Sequence, residues 1–215
     1  EGTDNGGNGG SEHEPKPKPK PGPKREKYVF KGRNIKIEAE LISILGPDGK
    51  TLEITDIFDF TRRNICSKYA TLHDFLHSWT EADRKKAVIE ELQEYDVIID
   101  AVREKHPELA DSDVFDVICH VAYGQKPMTR FERANNVRKR NYFAKYGAQC
   151  RQVLEALLDK YADQGILNME DPQMLRLAPF SQIGTPVKII KLFGGKEQFQ
   201  QAIKELELEL YKETA

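Results

Sequence analysis

At Asp59 the spacing of apolar residues changes from every second position to every third and fourth, and that switch constrains the fold more than any other feature. Before it, YVFKGRNIKIEAELISILGPDGKTLEITDIF (28–58) is rich in β-branched and aromatic residues and carries a Gly46-Pro47-Asp48-Gly49 turn signal. Ile35, Ile37, Ala39 and Leu41 alternate with Lys36, Glu38, Glu40 and Ile42, which predicts a β-hairpin with one buried face. An isolated hairpin is marginal in water, so it must pack on the helices or on a preceding domain.

After Asp59 the pattern is helical. Thr71 with Asp74, and Thr80 with Asp83, resemble capping boxes. The second is expected to open a helix carrying Val88, Leu92, Tyr95 and Ile99 and stopping before Pro107. Asp113 can cap a short apolar helix, Val114 to Tyr123, ended by Gly124, and Thr129 with Glu132 caps the next. Val153, Leu154, Leu157, Leu158 and Tyr161 continue an apolar face to a stop at Gly165. Thr185-Pro186 then starts a helix that ends at Gly194-Gly195, and the last runs from about Lys196 with Phe199, Ile203, Leu206 and Leu210 as its stripe. The expected fold is mainly α: a compact multi-helix domain over 61–215, with a β-hairpin and lead-in at 28–60.

Residues 1–27 hold only Gly, Pro, Ser, Thr, Asn, His and charged side chains, which cannot offset the entropy of ordering; they read as a disordered Gly/Pro/Lys linker. An opening Glu without a signal or transit pattern suggests a piece of a longer chain. No run nears the roughly 20 apolar residues of a membrane span. Cys66, Cys119 and Cys150 are odd in number and widely separated, which suggests reduced thiols and a cytoplasmic setting.

Catalytic and metal motifs are weak. Gly194-Gly195-Lys196 lacks the first glycine of a phosphate loop, and Glu197 stands where Ser or Thr would ligate magnesium, so a helix stop is the better reading. His73 and His77 are four apart but lack a third ligand, and His120 beside Cys119 reads as a hydrogen-bonded core histidine. Glu90, Glu91, Glu94, Glu205, Glu207 and Glu209 are expected on solvated faces. No catalytic, cofactor or metal residue is assigned.

Charge distribution is the remaining signal. Residues 129–151 contain seven bases (Arg130, Arg133, Arg138, Lys139, Arg140, Lys145 and Arg151) against the single acid Glu132, whereas 81–113 contains five bases against eleven acids. On one continuous helix all the bases but Lys139 would share an arc, with Phe131, Tyr142, Phe143 and Tyr146 mostly opposite. Asn135, Asn136 and Asn141 could break that helix. The arc suits DNA phosphates or an acidic protein patch; the bland reading is neutralisation by the acidic 81–113 stretch.

The run RxxRAxNVRKRNYFxKY at 130–146, with DVICHVAYGQKPMT before it and VLEALLDKYADQGI and PFSQIGTPVKIIKLFGGKEQF after it, resembles the C-terminal domain of the type I restriction enzyme R subunit. GPDGKTLEITDIFDFTRRNI looks like the segment that opens this domain, so the resemblance covers roughly 28–215. It implies a parent that is an ATP- and magnesium-dependent DNA translocase and site-specific deoxyribonuclease, whose nuclease and motor domains lie upstream. It implies for this piece a role without catalysis: docking the motor subunit on the modification and specificity subunits of the methyltransferase core, with contact to double-stranded DNA as the alternative.

Overall fold

The computed structural model describes residues 26–30, 33–38, 41–95, 97–169 and 171–212. The linker expected over 1–27 lies outside the described residues up to position 25, and Glu26 and Lys27 already belong to a strand. Four strands, β1 (Glu26–Phe30), β2 (Arg33–Glu38), β3 (Leu41–Leu45) and β4 (Thr51–Asp56), form an antiparallel meander in sequence order. The expected hairpin is its β3–β4 half, closed through the Gly46–Gly49 turn, where Gly49 N–H donates to the Gly46 carbonyl at 2.9 Å and Gly49 takes a φ of 75°.

The alternation does not run unbroken from Ile35 to Leu41. Glu38 pairs with Leu41, so the chain reverses between them; Ala39 and Glu40 lie outside the described residues. On β3 it is Ile42 and Ile44 that are buried, while Leu41 is exposed together with Leu52 and Ile54 of β4. A strand's period of two makes this a full exchange of faces.

Asp56 ends β4 and begins the helices, its side chain accepting from Phe58 N–H at 2.7 Å. Helix α1 (Ile57–Lys68) therefore starts two residues before Asp59, and its Ile57 and Phe60 join Ile42 in the core. Next come α2 (Leu72–Glu81), α3 (Lys85–Glu94), α4 (Ile99–Lys105) and α5 (Val114–Tyr123). The Thr71–Asp74 capping box forms; the Thr80–Asp83 one does not. Thr80 lies in the last turn of α2, Arg84 precedes α3, and Asp83 instead pairs with Lys204 at 2.6 Å. The expected long helix is divided at Tyr95–Ile98, where Val97 and Ile98 turn into the core.

Helix α5 is the apolar axis of the domain. Phe115, Val117, Ile118, Cys119, Val121 and Ala122 are all buried, Asp113 caps its start, and Gly124 closes it with a φ of 68°. An aromatic cluster joins it to α2 and to the C-terminal helix: the Phe115 and Tyr211 rings lie tilted with centroids 4.7 Å apart, and Trp79 meets Tyr211 edge-on at 5.3 Å.

The second half comprises α6 (Arg130–Lys139), a 3₁₀ turn at Tyr142–Lys145, α7 (Ala148–Gln164), α8 (Ile166–Met169), α9 (Phe180–Ile183), α10 (Pro186–Leu192) and α11 (Lys196–Tyr211). The expected face of α7 is fully buried, as are Phe199, Leu206 and Leu210 of α11, while Ile203 is half-buried. The protein is mainly helical with an N-terminal antiparallel sheet.

Candidate interaction surface

The basic segment is not one helix. Asn141 adopts a left-handed conformation with a φ of 55°, which non-glycine residues rarely take and asparagine tolerates best. It ends α6 and starts the 3₁₀ turn, so the seven bases do not lie on a common arc.

Most of them instead face carboxylates of the same domain. Arg133 is 1% exposed. Its Nε and Nη2 donate to the two oxygens of Asp116 at 2.5 and 2.8 Å, and its Nη1 donates to the Leu210 carbonyl at 2.8 Å. The guanidinium sits between the rings of Phe115 and Tyr211, 5.0 and 5.1 Å from their centroids. Burial alone would favour its neutral form; the bidentate pairing with Asp116 outweighs that and raises its pKa. A side chain so enclosed cannot reach a partner, so its assignment to a contact surface is corrected: Arg133 holds α6, α5 and α11 together.

The other bases divide between pairing and exposure. Arg140 donates to the Glu209 carboxylate at 3.2 Å and to the Glu209 carbonyl. Lys145 meets Glu205 at 2.5 Å and lies over the Tyr142 ring, its pKa raised by the hydrogen bond to Glu205. Arg138 pairs with Asp159 of α7 at 2.5 Å, and Arg130 approaches Asp111 at 3.9 Å. Among the described residues Arg151 donates only to the Tyr146 carbonyl, at 3.4 Å, and exposed Lys139 has no ion pair.

Neutralisation therefore comes from Glu205 and Glu209 of α11 together with Asp111, Asp116 and Asp159, and Asp111 alone belongs to the acidic 81–113 stretch. Glu205 and Glu209 are ion-paired and Glu207 is 3% exposed, so these three do not form the solvated face expected of them. Identical spacing along the sequence hid this, because which acid meets which base depends on how α11 packs back onto α6.

Beside the Arg133 pair lies a buried carboxylate the sequence showed only as a helix cap. Asp113 accepts through one oxygen from Phe115 N–H at 2.9 Å and from the Tyr211 hydroxyl at 3.3 Å, and its carboxylate lies beside the buried Tyr161 hydroxyl. Burial first, and the neighbouring Asp116 second, push its pKa up.

The opposite face of α6 is open. A cleft of about 650 Å³ runs between the 124–128 loop and α6, floored by Asp116 and Cys119 and flanked by Lys126, Met128, Phe131 and Lys139. Phe131, which a continuous helix would set opposite the basic arc, is 64% exposed. Its position two residues from Arg133 puts it on the other side of α6, a placement visible only once the buried side is known.

The family model described as EcoEI R protein C-terminal matches residues 55–211. The chain belongs to this family. A relative from Escherichia coli, described as a type I restriction enzyme EcoAI endonuclease subunit, is 44% identical over 191 residues. That match covers 88% of this chain and 23% of the relative, so the chain spans about a quarter of the relative's length. No solved structure matches. The protein is thus a C-terminal domain of a type I restriction endonuclease subunit, and the family match begins at Thr55, where the sheet gives way to the helices.

In this domain the weaker sequence candidates lie at separate places in the fold. Gly194 and Gly195, with φ of 97° and 137°, form the turn between α10 and α11, and Lys196 opens α11. His73 and His77 are exposed on α2, and among the described residues no group of three or more His, Cys, Asp or Glu could hold a metal ion. His120 Nδ1 bonds the Gln125 carbonyl at 2.8 Å, and Cys119 is buried with its thiol pKa pushed well up by desolvation. Among the described residues no helix is long and apolar enough to cross a membrane.

Proposed function

We propose that this domain docks a type I restriction motor and nuclease subunit on its methyltransferase core, meeting the modification and specificity subunits. ATP and magnesium are then bound by the parts of the longer subunit that precede this domain. The observation that carries the reading is the internal use of the bases: Arg130, Arg133, Arg138, Arg140 and Lys145 each face a carboxylate of the same domain. Phosphate tracking needs uncommitted cations in a row, and pairing spends them. What the surface retains is a cleft with an exposed aromatic, the type of feature that anchors protein interfaces.

The runner-up, a contact along the path of double-stranded DNA, is favoured by exposed Lys126, Lys139 and Arg151, which have no ion pair among the described residues. One experiment separates the two. The 215-residue chain is titrated against the purified modification–specificity complex and against duplex DNA over a salt series. Docking predicts binding to the complex with shallow salt dependence. The DNA reading predicts duplex affinity whose logarithm falls with log salt by roughly 0.9 per phosphate contacted.

A further inference from the structure

We infer that the cleft between the 124–128 loop and α6 is the anchor point of the docking surface, taking an apolar side chain flanked by a carboxylate from a protein segment of the methyltransferase core. The inference rests on the docking reading above and gives it a location.

Three observations meet at this place. First, the cleft is held in shape before any partner arrives. Gly124 N–H and Gln125 N–H close α5 onto the His120 and Cys119 carbonyls at 3.0 and 3.2 Å, His120 bonds the Gln125 carbonyl at 2.8 Å, and Met128 N–H donates to Asp116 at 3.1 Å. Asp116 is itself fixed by Arg133, so the loop wall and the helix wall share one buried ion pair. A preformed site avoids the ordering cost that weakens binding by mobile loops.

Second, Phe131 stands 64% exposed at the edge of this cleft, near Met128 and Pro127. Nothing in the chain's own described core covers it. A phenyl ring left in water beside a concave, partly apolar surface gains most from a partner side chain that fills the cleft and covers the ring. The sugar-phosphate backbone of a duplex offers no such group.

Third, the charges at the rim do not cancel. Arg133 neutralises Asp116, and Glu132 is turned back onto Thr129, accepting from its N–H at 2.8 Å and its hydroxyl at 3.0 Å, which lowers the Glu132 pKa. Lys126 and Lys139 stand against Glu132 alone, an excess of one positive charge at the rim of a slot whose apolar wall is Pro127, Met128 and Phe131. The Asn135 amide nitrogen, on α6 beside the cleft, can donate to the main chain of what enters, the amide oxygen already accepting from Arg138 at 2.9 Å.

The test uses the 215-residue chain and the purified modification–specificity complex, with Phe131→Ala, Lys139→Glu and, on α7 outside the cleft lining, Arg151→Gln. Circular dichroism and a thermal melt check folding, and exposed Phe131 and Lys139 predict unchanged melts. The expected result is a loss of about tenfold or more in affinity for Phe131→Ala, a loss of several-fold for Lys139→Glu, and a change under about twofold for Arg151→Gln. If the wild-type chain binds the complex and Phe131→Ala binds equally well, the cleft is not the anchor while docking stands. If the wild-type chain does not bind at all, the docking reading falls and the inference with it. Should Phe131→Ala weaken binding to a single-stranded oligonucleotide but not to the complex, base stacking on the ring replaces the proposal.

Discussion

Arg133 and Phe131 are two residues apart on α6 and stand on opposite sides of it. The charged residue is inside, 1% exposed, and the aromatic one is outside, 64% exposed. Simple partitioning by polarity would reverse them. Arg133 is tolerated in the core because Asp116 takes two of its N–H groups, the Leu210 carbonyl takes a third, and two aromatic rings cover its faces. Phe131 has no counterpart arrangement on the other side; its ring borders a cleft that the loop from Gly124 to Met128 keeps open. A dense run of bases is therefore not one functional unit. One side of α6 spends its charge on assembling the domain, and the other leaves chemistry available to a partner.

The buried side is the more costly to disturb. Arg133→Ala would leave Asp116 charged in the core and release the end of α11, so a loss of about 3–5 kcal/mol is expected in denaturant unfolding. Replacing both partners, Arg133→Met with Asp116→Leu, should return much of that loss, since a fully apolar pair has no stranded charge. Equal destabilisation by the single and double variants would mean that the helix contacts, not the ion pair, hold this side together.

Asp113 sharpens the same side through pH. Its pKa is raised in the folded chain by burial and by Asp116, above the ordinary value near 4. The folded state therefore holds the proton more tightly than the unfolded one. The stability this group contributes is complete below the unfolded pKa and is lost as pH rises through the folded pKa. Asn is an equally good helix cap and cannot ionise. Asp113→Asn should thus gain on the wild type as pH rises above the ordinary carboxylate range, by about 1–2 kcal/mol, the order of relieving one buried group short of partners. A difference that stays constant over that rise would show that Asp113 titrates as an ordinary carboxylate.

The helices were far easier to foresee than the surface they build. Capping pairs such as Thr129 with Glu132, and stops such as Gly124 and Gly165, act within a few residues, so their chemistry is visible in sequence and recurs in the structure. The strand-to-helix switch was legible for the same reason, to within two residues at Asp56 and Ile57. Long-range choices were not. Thr80 and Asp83 satisfy the spacing of a cap, but α2 continues through Thr80 and Asp83 is drawn to Lys204, 121 positions away. The partners of Arg133, Arg140 and Lys145 lie on α5 and α11, and no periodicity within 129–151 points to them. The family resemblance did locate the domain in its parent, because it compares the whole pattern at once.

The outer bases offer the finest test of the comparison, since they lie between its two extremes. Arg140 and Glu209 keep only 25% and 20% of their side-chain surface, and the guanidinium also holds the Glu209 carbonyl near the end of α11. Arg138 and Asp159 retain 33% and 71%. Water screens the second pair and competes for its hydrogen bonds, and ordering two long side chains offsets much of the attraction that remains. Arg140→Gln should therefore cost about 1 kcal/mol, while Arg138→Gln should cost no more than about 0.5 kcal/mol and nothing measurable at high salt. Denaturant midpoints at low and high salt read both values. If the two substitutions prove equal, burial is not what divides the bases of this segment, and the sorting of α6 into an inner clamp and an outer face would have to rest on geometry alone.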